Sequence, residues 1–199
     1  MSNNKSSTDV FLKLAKKLRT PARVQRYISQ LKYNKKSTLY SALTTYQKRS
    51  AHCMEGAMLA AAICEQLGFP PLVMSFESVD SLDHVIFIYR SNGRWGSIGQ
   101  SRDLGLHGRK PVFKSLKALA LSYHEPYIDL TGRITGFGVA SLEETKCNWR
   151  TSSRSVWKAE NFLLELKHIK IPISERKYQA LYNAYIEKGP LKRGPHWTI

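Results

Sequence analysis

The chain has 199 residues, of which 31 are Lys or Arg and 15 are Asp or Glu, so its formal charge is +16 and its isoelectric point is near 9.9. A hydrophobic content of 42% and an aromatic content of 11% can build a core, which excludes a disordered or fibrous chain. Apolar stretches such as Met58 to Cys64 are far shorter than the roughly 20 residues of a membrane-spanning helix. We therefore expect a globular protein of one domain that does not cross a membrane.

The N-terminus and the cysteines indicate a cellular compartment. The first nine residues are polar and lack the apolar stretch of a secretory signal, so we expect a cytoplasmic protein. Cys53, Cys64 and Cys147 are too few and too widely spaced for a disulfide framework, and no Cys-x-x-Cys pair favours structural zinc. We expect free thiols, no metal site and no cofactor.

Positive charge is concentrated at the two ends of the chain. Residues 1–50 carry 12 bases and one acid, residues 51–145 carry 8 bases and 10 acids, and residues 146–199 carry 11 bases and 4 acids. The sequence thus predicts a basic N-terminal segment, a near-neutral core segment and a basic C-terminal segment packed on that core. The basic flanks either contact nucleic acid or an acidic protein surface, or serve only solubility. Bases mixed into amphipathic helices favour the second interpretation.

Helical periodicity dominates the first third of the chain. Apolar residues recur every three or four positions, Pro21 stands where a helix can begin, and Gly68 stands where one can end. The last of these helices is rich in alanine and apolar around most of its circumference, which is typical of a buried helix. The predicted helices span residues 10–18, with Thr8 or Asp9 as the N-cap, 21–31, 39–46 and 52–68.

After Pro70-Pro71 the apolar period changes to that of strands. Residues 72–77, 84–90 and 94–100 are predicted as strands, and Asn92-Gly93 is a strong signal for a two-residue hairpin between the last two. The remaining predictions are a helix over 115–123, a loop or irregular edge over 126–142, helices over 155–166 and 175–186, the latter capped by Ser174, and a tail from 189. Together these elements predict an α+β fold with an antiparallel sheet.

Cys53 lies in the first turn of the alanine-rich helix. Unpaired amide groups and the helix dipole favour a thiolate there, which is the reactive form of cysteine. The alternative is a small core residue, because Cys53, Ala57, Ala60 and Cys64 share one helix face. His84 opens an otherwise apolar strand, where it is either a base for a thiol or a hydrogen-bonded structural residue.

Several residues between positions 47 and 103 resemble the core of the transglutaminase-like (papain-like cysteine protease) superfamily. They are Cys53 at a helix start, Glu55, Ala57, Leu67-Gly68 before a strand, His84 at the head of a strand, and Gly93 and Trp95 around the next strand. The resemblance implies a central helix whose nucleophilic cysteine packs on an antiparallel sheet that supplies histidine and usually aspartate. The superfamily includes enzymes that form or cleave amides, and members that have lost catalysis.

The third catalytic residue departs from this pattern, because the aspartate expected four residues after Trp95 is Gly99. A two-residue hairpin pairs residues whose numbers sum to 185, so Ser101 lies opposite His84 and Asp103 is a same-face diagonal neighbour. A loop longer by one residue would place Gln100 opposite His84 instead. The predicted site is therefore Cys53, His84 and Asp103, with Gln100 as the alternative.

A reaction at Cys53 also needs a group that stabilises an oxyanion. The backbone N–H of Cys53 is one expected donor, and Gln47 has the spacing at which papain-like enzymes place a glutamine. We expect a cysteine-dependent hydrolase or acyltransferase that acts on amide or ester bonds of a peptide or protein. The alternative is a catalytically inactive transglutaminase-like module whose basic flanks bind nucleic acid or an acidic protein.

Overall fold

The computed structural model describes residues 3–79, 84–128, 133–189 and 198–199. Its helices are α1 (Asn3–Leu18), α2 (Pro21–Ser29), α3 (Ala42–Lys48), α4 (Cys53–Glu65), α5 (Leu116–Leu121), α6 (Trp157–Leu164) and α7 (Glu175–Lys188). Its strands are β1 (Lys32–Tyr33), β2 (Ser50–Ala51), β3 (Leu72–Ser78), β4 (Val85–Ser91), β5 (Arg94–Ile98), β6 (Ile134–Ser141) and β7 (Ile169–Lys170). Within the described ranges, no helix combines the length and apolar character needed to cross a bilayer.

The main sheet has five strands in the order β5-β4-β3-β6-β7, and every neighbouring pair is antiparallel. This confirms the predicted α+β class with an antiparallel sheet. The two-residue hairpin is confirmed as well, because Ser91 pairs with Arg94 and Phe87 pairs with Ile98. The β4–β5 ladder ends at that last pair, so its register does not extend to His84.

Both faces of the sheet are covered. Along β4, Val85 and Phe87 pack into the core that contains α4, whereas Ile86 and Ile88 pack into a second core that contains α5. This alternation is the period-2 pattern of a strand that is buried on both faces. The strand therefore fixes the layer order of helix α4, sheet and helix α5.

The core around α4 joins the ends of the chain to its middle. Phe11 of α1 and Ile28 of α2 belong to it, and so do Trp149 and Leu163 from the C-terminal part. Because apolar burial contributes roughly 25 cal/mol per Å², this shared core holds the basic flanks against the central helix. One continuous core thus contains residues of all three segments that differ in charge.

The prediction of an irregular edge for residues 126–142 is wrong for Ile134–Ser141, which form β6 between β3 and β7. Glycines are depleted in strands, and they obscured this strand in the sequence. A Cβ atom on Gly138 would lie 2.6 Å from Leu166 Cδ2, so the glycine allows a close approach of the neighbouring chain. Residues 129–132 of the same prediction, and residues 190–197 of the predicted tail, lie outside the described residues.

Several helix boundaries also differ from prediction. Helix α1 begins at Asn3, so Thr8 and Asp9 lie within the helix and do not cap it. Ser174 caps α7 as predicted, because its side chain accepts a hydrogen bond from the Lys177 amide. The two-residue strands β1, β2 and β7 were missed, since an alternating pattern cannot be recognised in two residues.

His124 is a buried histidine whose protonation is unfavourable in the folded protein. It is 2% exposed, and neither ring nitrogen has a hydrogen-bond partner among the described residues. Burial, together with the positive charges of Lys177 and Arg133, lowers the pKa of His124 to about 4. The folded protein therefore holds this ring neutral at pH values where the unfolded chain protonates it.

This predicts a specific loss of stability in acid. Between pH 6.5 and 4 the unfolded state binds a proton at His124 that the folded state does not, so the free energy of unfolding falls as the pH falls. We expect wild-type protein to lose on the order of 2 kcal/mol more than His124→Leu between pH 7.5 and 4.5. Urea unfolding at a series of pH values measures the difference. Parallel stability curves for the two proteins would contradict this account.

Candidate active site

The N-terminus of α4 places Cys53 at the surface of a cavity. The parallel pair β1–β2 directs the chain into the helix, with Lys32 paired to Ser50 and Tyr33 paired to Ala51. His52 is the N-cap residue and Cys53 is the first residue of α4, so the sulfur lies at the positive end of the helix dipole. Cys53 is partly exposed and lines the cavity, whereas Cys64, in the last turn of the helix, is fully buried.

His84 immediately precedes β4 and is fixed on both its backbone and its ring. Its carbonyl accepts a hydrogen bond from the Phe76 amide, and its ring lies 6.1 Å from the ring of Phe76 and 5.9 Å from that of Tyr123. Nε2 is 2.9 Å from the Leu106 carbonyl oxygen. Because a carbonyl only accepts, Nε2 carries the hydrogen, and Nδ1 is left to exchange a proton.

Cys53 hydrogen-bonds with two histidines, His84 and His52. Burial raises the pKa of the Cys53 thiol, but the hydrogen bonds and positive charge of the two histidines outweigh it and lower the pKa to about 5. Burial alone acts on Cys64 and raises the pKa of that thiol. The structure therefore makes Cys53 a thiolate at neutral pH and keeps Cys64 a thiol.

Gly99 occupies the position at which the resemblance expects an aspartate. A Cβ atom there would lie 3.7 Å from His84 Nε2, so the position faces the imidazole but has no side chain to offer. The same Cβ would lie 2.9 Å from Ile86 Cγ2 and 3.3 Å from the Leu106 carbonyl oxygen. The missing side chain leaves room for that carbonyl, which orients the His84 ring in place of a carboxylate.

The structure brings Cys53 and His84 together but leaves Asp103 at the rim of the same cavity, exposed to solvent. Its amide donates to Ser101 Oγ, and its carboxylate makes no hydrogen bond with His84 in the described part of the chain. The cause is the end of the β4–β5 ladder at Ile98. Beyond it the chain forms a 3₁₀ turn over Leu104–Leu106, which presents Leu106 to the ring and not Asp103.

Gln100, the alternative to Asp103, faces away from the site. Its Nε2 donates to the carbonyl oxygens of Ile28, at 3.1 Å, and Leu31, at 2.9 Å. A Cβ atom on Gly56 of α4 would lie only 2.7 Å from the Gln100 Cβ, which shows how closely the segment after β5 packs on the helix. Gln100 therefore joins α2 to the segment after β5 and does not orient His84.

Two further side chains, which the sequence did not single out, hold the segment that carries Leu106. Arg109 is fully buried and donates to the carbonyl oxygens of Gly105, at 2.6 Å, and His107, at 2.7 Å. Gln25 of α2 accepts from the amides of Gly99 and Gly108. These bonds fix the backbone on both sides of the Leu106 carbonyl. Composition and periodicity do not distinguish Arg109 or Gln25 from other bases and amides.

The carboxylate of Glu55 organises the chain before Cys53. It is fully buried and accepts hydrogen bonds from the side chains of Asn34 and Thr38 and from the amides of Tyr40 and His52. The bond from His52 N–H is one half of a capping box, with Glu55 in the third helical position. Glu55 thus attaches the segment after β1 to the N-terminus of α4.

The cavity in front of Cys53 and His84 has a volume of about 900 Å³. Leu163 of α6 and Tyr185 of α7 line the wall formed by the C-terminal part, and Tyr33 of β1 lines the side nearest Cys53. Gln47, predicted as an oxyanion donor, is not among the described residues that line the cavity. The described ranges contain no group of three or more His, Cys, Asp and Glu side chains that could hold a metal ion.

Comparison with known proteins gives one partial similarity. No family model matches the chain. The chain is 28% identical to mouse Tubulinyl-Tyr carboxypeptidase 1 over 123 residues, which cover 52% of this chain and 33% of the mouse protein. The match therefore spans about a third of the length of that curated relative. The chain is thus similar, over half its length, to part of a peptide-bond hydrolase.

The buried carboxylate of Glu55 predicts a large stability difference between two glutamates of the same helix. Glu55→Gln replaces an oxygen that accepts hydrogen bonds with an NH₂ group that faces donors, which should cost about 2–4 kcal/mol. Glu65 pairs with Arg150 in a half-exposed ion pair, so Glu65→Gln should cost about 1 kcal/mol or less. Urea unfolding measures both values. Equal costs would contradict the role given to Glu55.

The Leu106 contact predicts that Asp103 is dispensable for orienting His84. The pH midpoint of Cys53 alkylation reports the hydrogen bond between Cys53 and His84, and we expect Asp103→Asn to leave it within about 0.3 units of wild type. Gly99→Ala, whose Cβ would press on Ile86 and on the Leu106 carbonyl, should raise the midpoint. Iodoacetamide labelling followed by peptide mass spectrometry measures each midpoint. A raised midpoint in Asp103→Asn would instead show that the Asp103 carboxylate helps to orient His84.

Proposed function

We propose that the protein is a cysteine peptidase with a transglutaminase-like core, in which Cys53 is the nucleophile and His84 is the general acid and base. The observation that carries this proposal is the contact between Cys53 at the N-terminus of α4 and His84 at the mouth of β4, on the wall of an open cavity. A buried α4 packed on an antiparallel sheet supports the transglutaminase-like assignment. The similarity to a carboxypeptidase supports the reaction class.

In the first half of the reaction, the Cys53 thiolate attacks the carbonyl carbon of the scissile peptide bond while His84 holds a proton at Nδ1. The carbonyl π electrons move to oxygen and give a tetrahedral oxyanion. This oxyanion collapses, the C–N bond breaks, and the leaving amine takes the proton from His84. The acyl group of the substrate is then bound to Cys53 as a thioester.

In the second half, a water molecule gives a proton to His84 while its oxygen attacks the thioester carbonyl. Collapse of the second tetrahedral intermediate breaks the C–S bond and releases a carboxylic acid. The sulfur leaves as a thiolate and His84 keeps the proton that it took from water, so the enzyme returns to its starting state. Attack by an amine at the same step would instead transfer the acyl group.

The oxyanion needs donors on the side of the cavity that holds Cys53. The Cys53 amide stands at the first position of α4, where backbone N–H groups point toward an anion bound at the helix N-terminus. Tyr33 is a second candidate, which takes the role once expected of Gln47. Burial and the nearby Cys53 raise the pKa of the Tyr33 phenol, which therefore stays protonated and able to donate.

The substrate we propose is a peptide with a free C-terminal carboxylate, preceded by acidic residues. Arg102 lines the cavity, and its guanidinium lies 5.8 Å from the centre of the Tyr33 ring, beside Cys53. A guanidinium binds a carboxylate in bidentate fashion. The exposed bases Lys32 and Lys35 flank Tyr33 in the chain and extend the positive surface, which suits an acidic peptide.

A catalytically inactive binding module is the competing proposal. Its basic flanks would bind nucleic acid or an acidic protein. Such binding does not require the hydrogen bonds that lower the pKa of the Cys53 thiol. The same flanks can serve an enzyme whose substrate is acidic. The thiolate and the cavity together therefore favour the enzyme.

The test compares acidic peptides that end in a free carboxylate with the same peptides ending in an amide. We expect wild-type protein to release the C-terminal residue only from the free acid, and Cys53→Ala or His84→Ala to reduce release to background with folding intact. Arg102→Ala should raise KM about 10-fold with little change in kcat, because it removes substrate binding and not chemistry.

Lys117→Ala is the matched control for charge, because Lys117 is exposed on α5 and does not line the cavity. It should leave both kinetic constants unchanged. Mass spectrometry of the peptide mixture measures release directly. Cleavage that survives Cys53→Ala would remove the proposed mechanism. Salt-dependent peptide or nucleic-acid binding without any cleavage would instead favour the binding module.

A further inference from the structure

A second histidine, His52, hydrogen-bonds with Cys53 and takes no part in the reaction steps given above. It is the N-cap residue of α4 and the partner of Glu55 in its capping box. His52 Nε2 lies 2.7 Å from the Thr38 carbonyl oxygen and 3.5 Å from Glu55 Oε1. Helix capping is therefore only part of the surroundings of this ring, which also lies against a buried carboxylate and next to Cys53.

The contacts of the ring determine its protonation. Nε2 meets a carbonyl oxygen, which only accepts, so Nε2 carries a hydrogen. The other nitrogen, Nδ1, is then the one that can bond the Cys53 sulfur. The fully buried carboxylate of Glu55, 3.5 Å from Nε2, favours a proton on Nδ1 as well, from which the ring donates to the sulfur. A histidine that donates from both nitrogens is an imidazolium cation.

The charged groups around His52 favour that cation. Burial lowers the pKa of His52, but the hydrogen bond and charge of Cys53, the charge of Glu55 and the Thr38 carbonyl raise it further, to about 9. Glu160 of α6 is near enough for His52 and Cys53 to affect its own pKa. In the described part of the chain, the titratable groups that interact with His52 or Cys53 are Glu55, Glu160, Tyr33 and His84.

We infer that His52 is a second catalytic imidazole, a fixed cation that holds Cys53 as a thiolate, while His84 alone gives a proton to the leaving amine and takes one from water. The inference rests on the proposed function and adds a division of roles to it. Among the described residues, the partner of His84 Nε2 is the neutral Leu106 carbonyl, which does not stabilise an imidazolium as a carboxylate does. His52, by contrast, is close to the buried carboxylate of Glu55.

This division explains how the site functions without an aspartate on His84. In a Cys-His-Asp site the carboxylate stabilises the imidazolium that forms when the thiol ionises. Here the compensating carboxylate is Glu55, and it acts on the histidine that stays protonated. His84 can give its proton to the leaving amine, because none of the carboxylates in the described ranges holds that proton in place.

The test is a titration of the Cys53 thiol in three proteins, followed by absorbance near 240 nm and by iodoacetamide labelling of each cysteine. Wild-type protein should ionise near pH 5. His52→Asn removes the cation but keeps a good N-cap residue, and should raise the midpoint by at least about one pH unit, which is a tenfold loss of thiolate at acidic pH. His52→Lys keeps a cation and should stay closer to wild type.

A wild-type midpoint in His52→Asn would overturn the inference, and so would a His52→Lys midpoint as high as that of His52→Asn. Melting curves identify a variant that fails to fold, and His52→Gln then serves as the second neutral variant with the same expected rise. His84→Asn should abolish peptide release at every pH. The titration needs no substrate. An inactive wild-type protein whose midpoint still depends on His52 would therefore refute the proposed function and leave the pairing of the His52 cation with the Cys53 thiolate in place.

Discussion

The buried carboxylate of Glu55 is the constraint on which the site depends. Five groups from the segment before α4 lie within reach of it, and each is placed by the need to satisfy a charge that has no access to water. Because one of them is the backbone N–H of His52, the same carboxylate fixes the start of α4 and hence the position of Cys53. A residue that stabilises the fold thus also sets the charge at the nucleophile.

The two histidines at Cys53 differ in their other contacts. The His52 ring contacts the carbonyl of Thr38 and the carboxylate of Glu55, whereas the His84 ring contacts the carbonyl of Leu106 and packs between aromatic rings. A carboxylate stabilises a nearby imidazolium more than a neutral carbonyl does. The proposed mechanism therefore assigns electrostatic stabilisation to His52 and proton transfer to His84, two roles that a single histidine performs in a triad.

The sequence predicts those parts of the site whose role depends on the identity of a side chain. A cysteine at a helix start and a histidine at the mouth of an apolar strand, taken together with the resemblance to the transglutaminase-like superfamily, predict the Cys53–His84 contact. The acceptor for His84 could not be predicted, because Leu106 acts through its backbone and any residue has a carbonyl. The prediction that Asp103 contacts His84 continues a correct hairpin register beyond Ile98. The ladder ends at Ile98, and a 3₁₀ turn follows over Leu104–Leu106. β6 was missed because its glycines, which serve close packing, were interpreted as turns.

The three segments that differ in charge all contribute to the cavity. Tyr33 comes from the basic N-terminal part, Arg102 from the neutral middle, and Tyr185 from the basic C-terminal part. Long-range charge is screened beyond roughly 8 Å in physiological salt, so in the proposed function the basic flanks act on the approaching anionic peptide and only weakly on the pair of His52 and Cys53. The net charge of the protein therefore governs association with the proposed substrate, whereas the ionisation of Cys53 is governed by groups in direct contact with it. A change in salt concentration should thus affect the first property far more than the second.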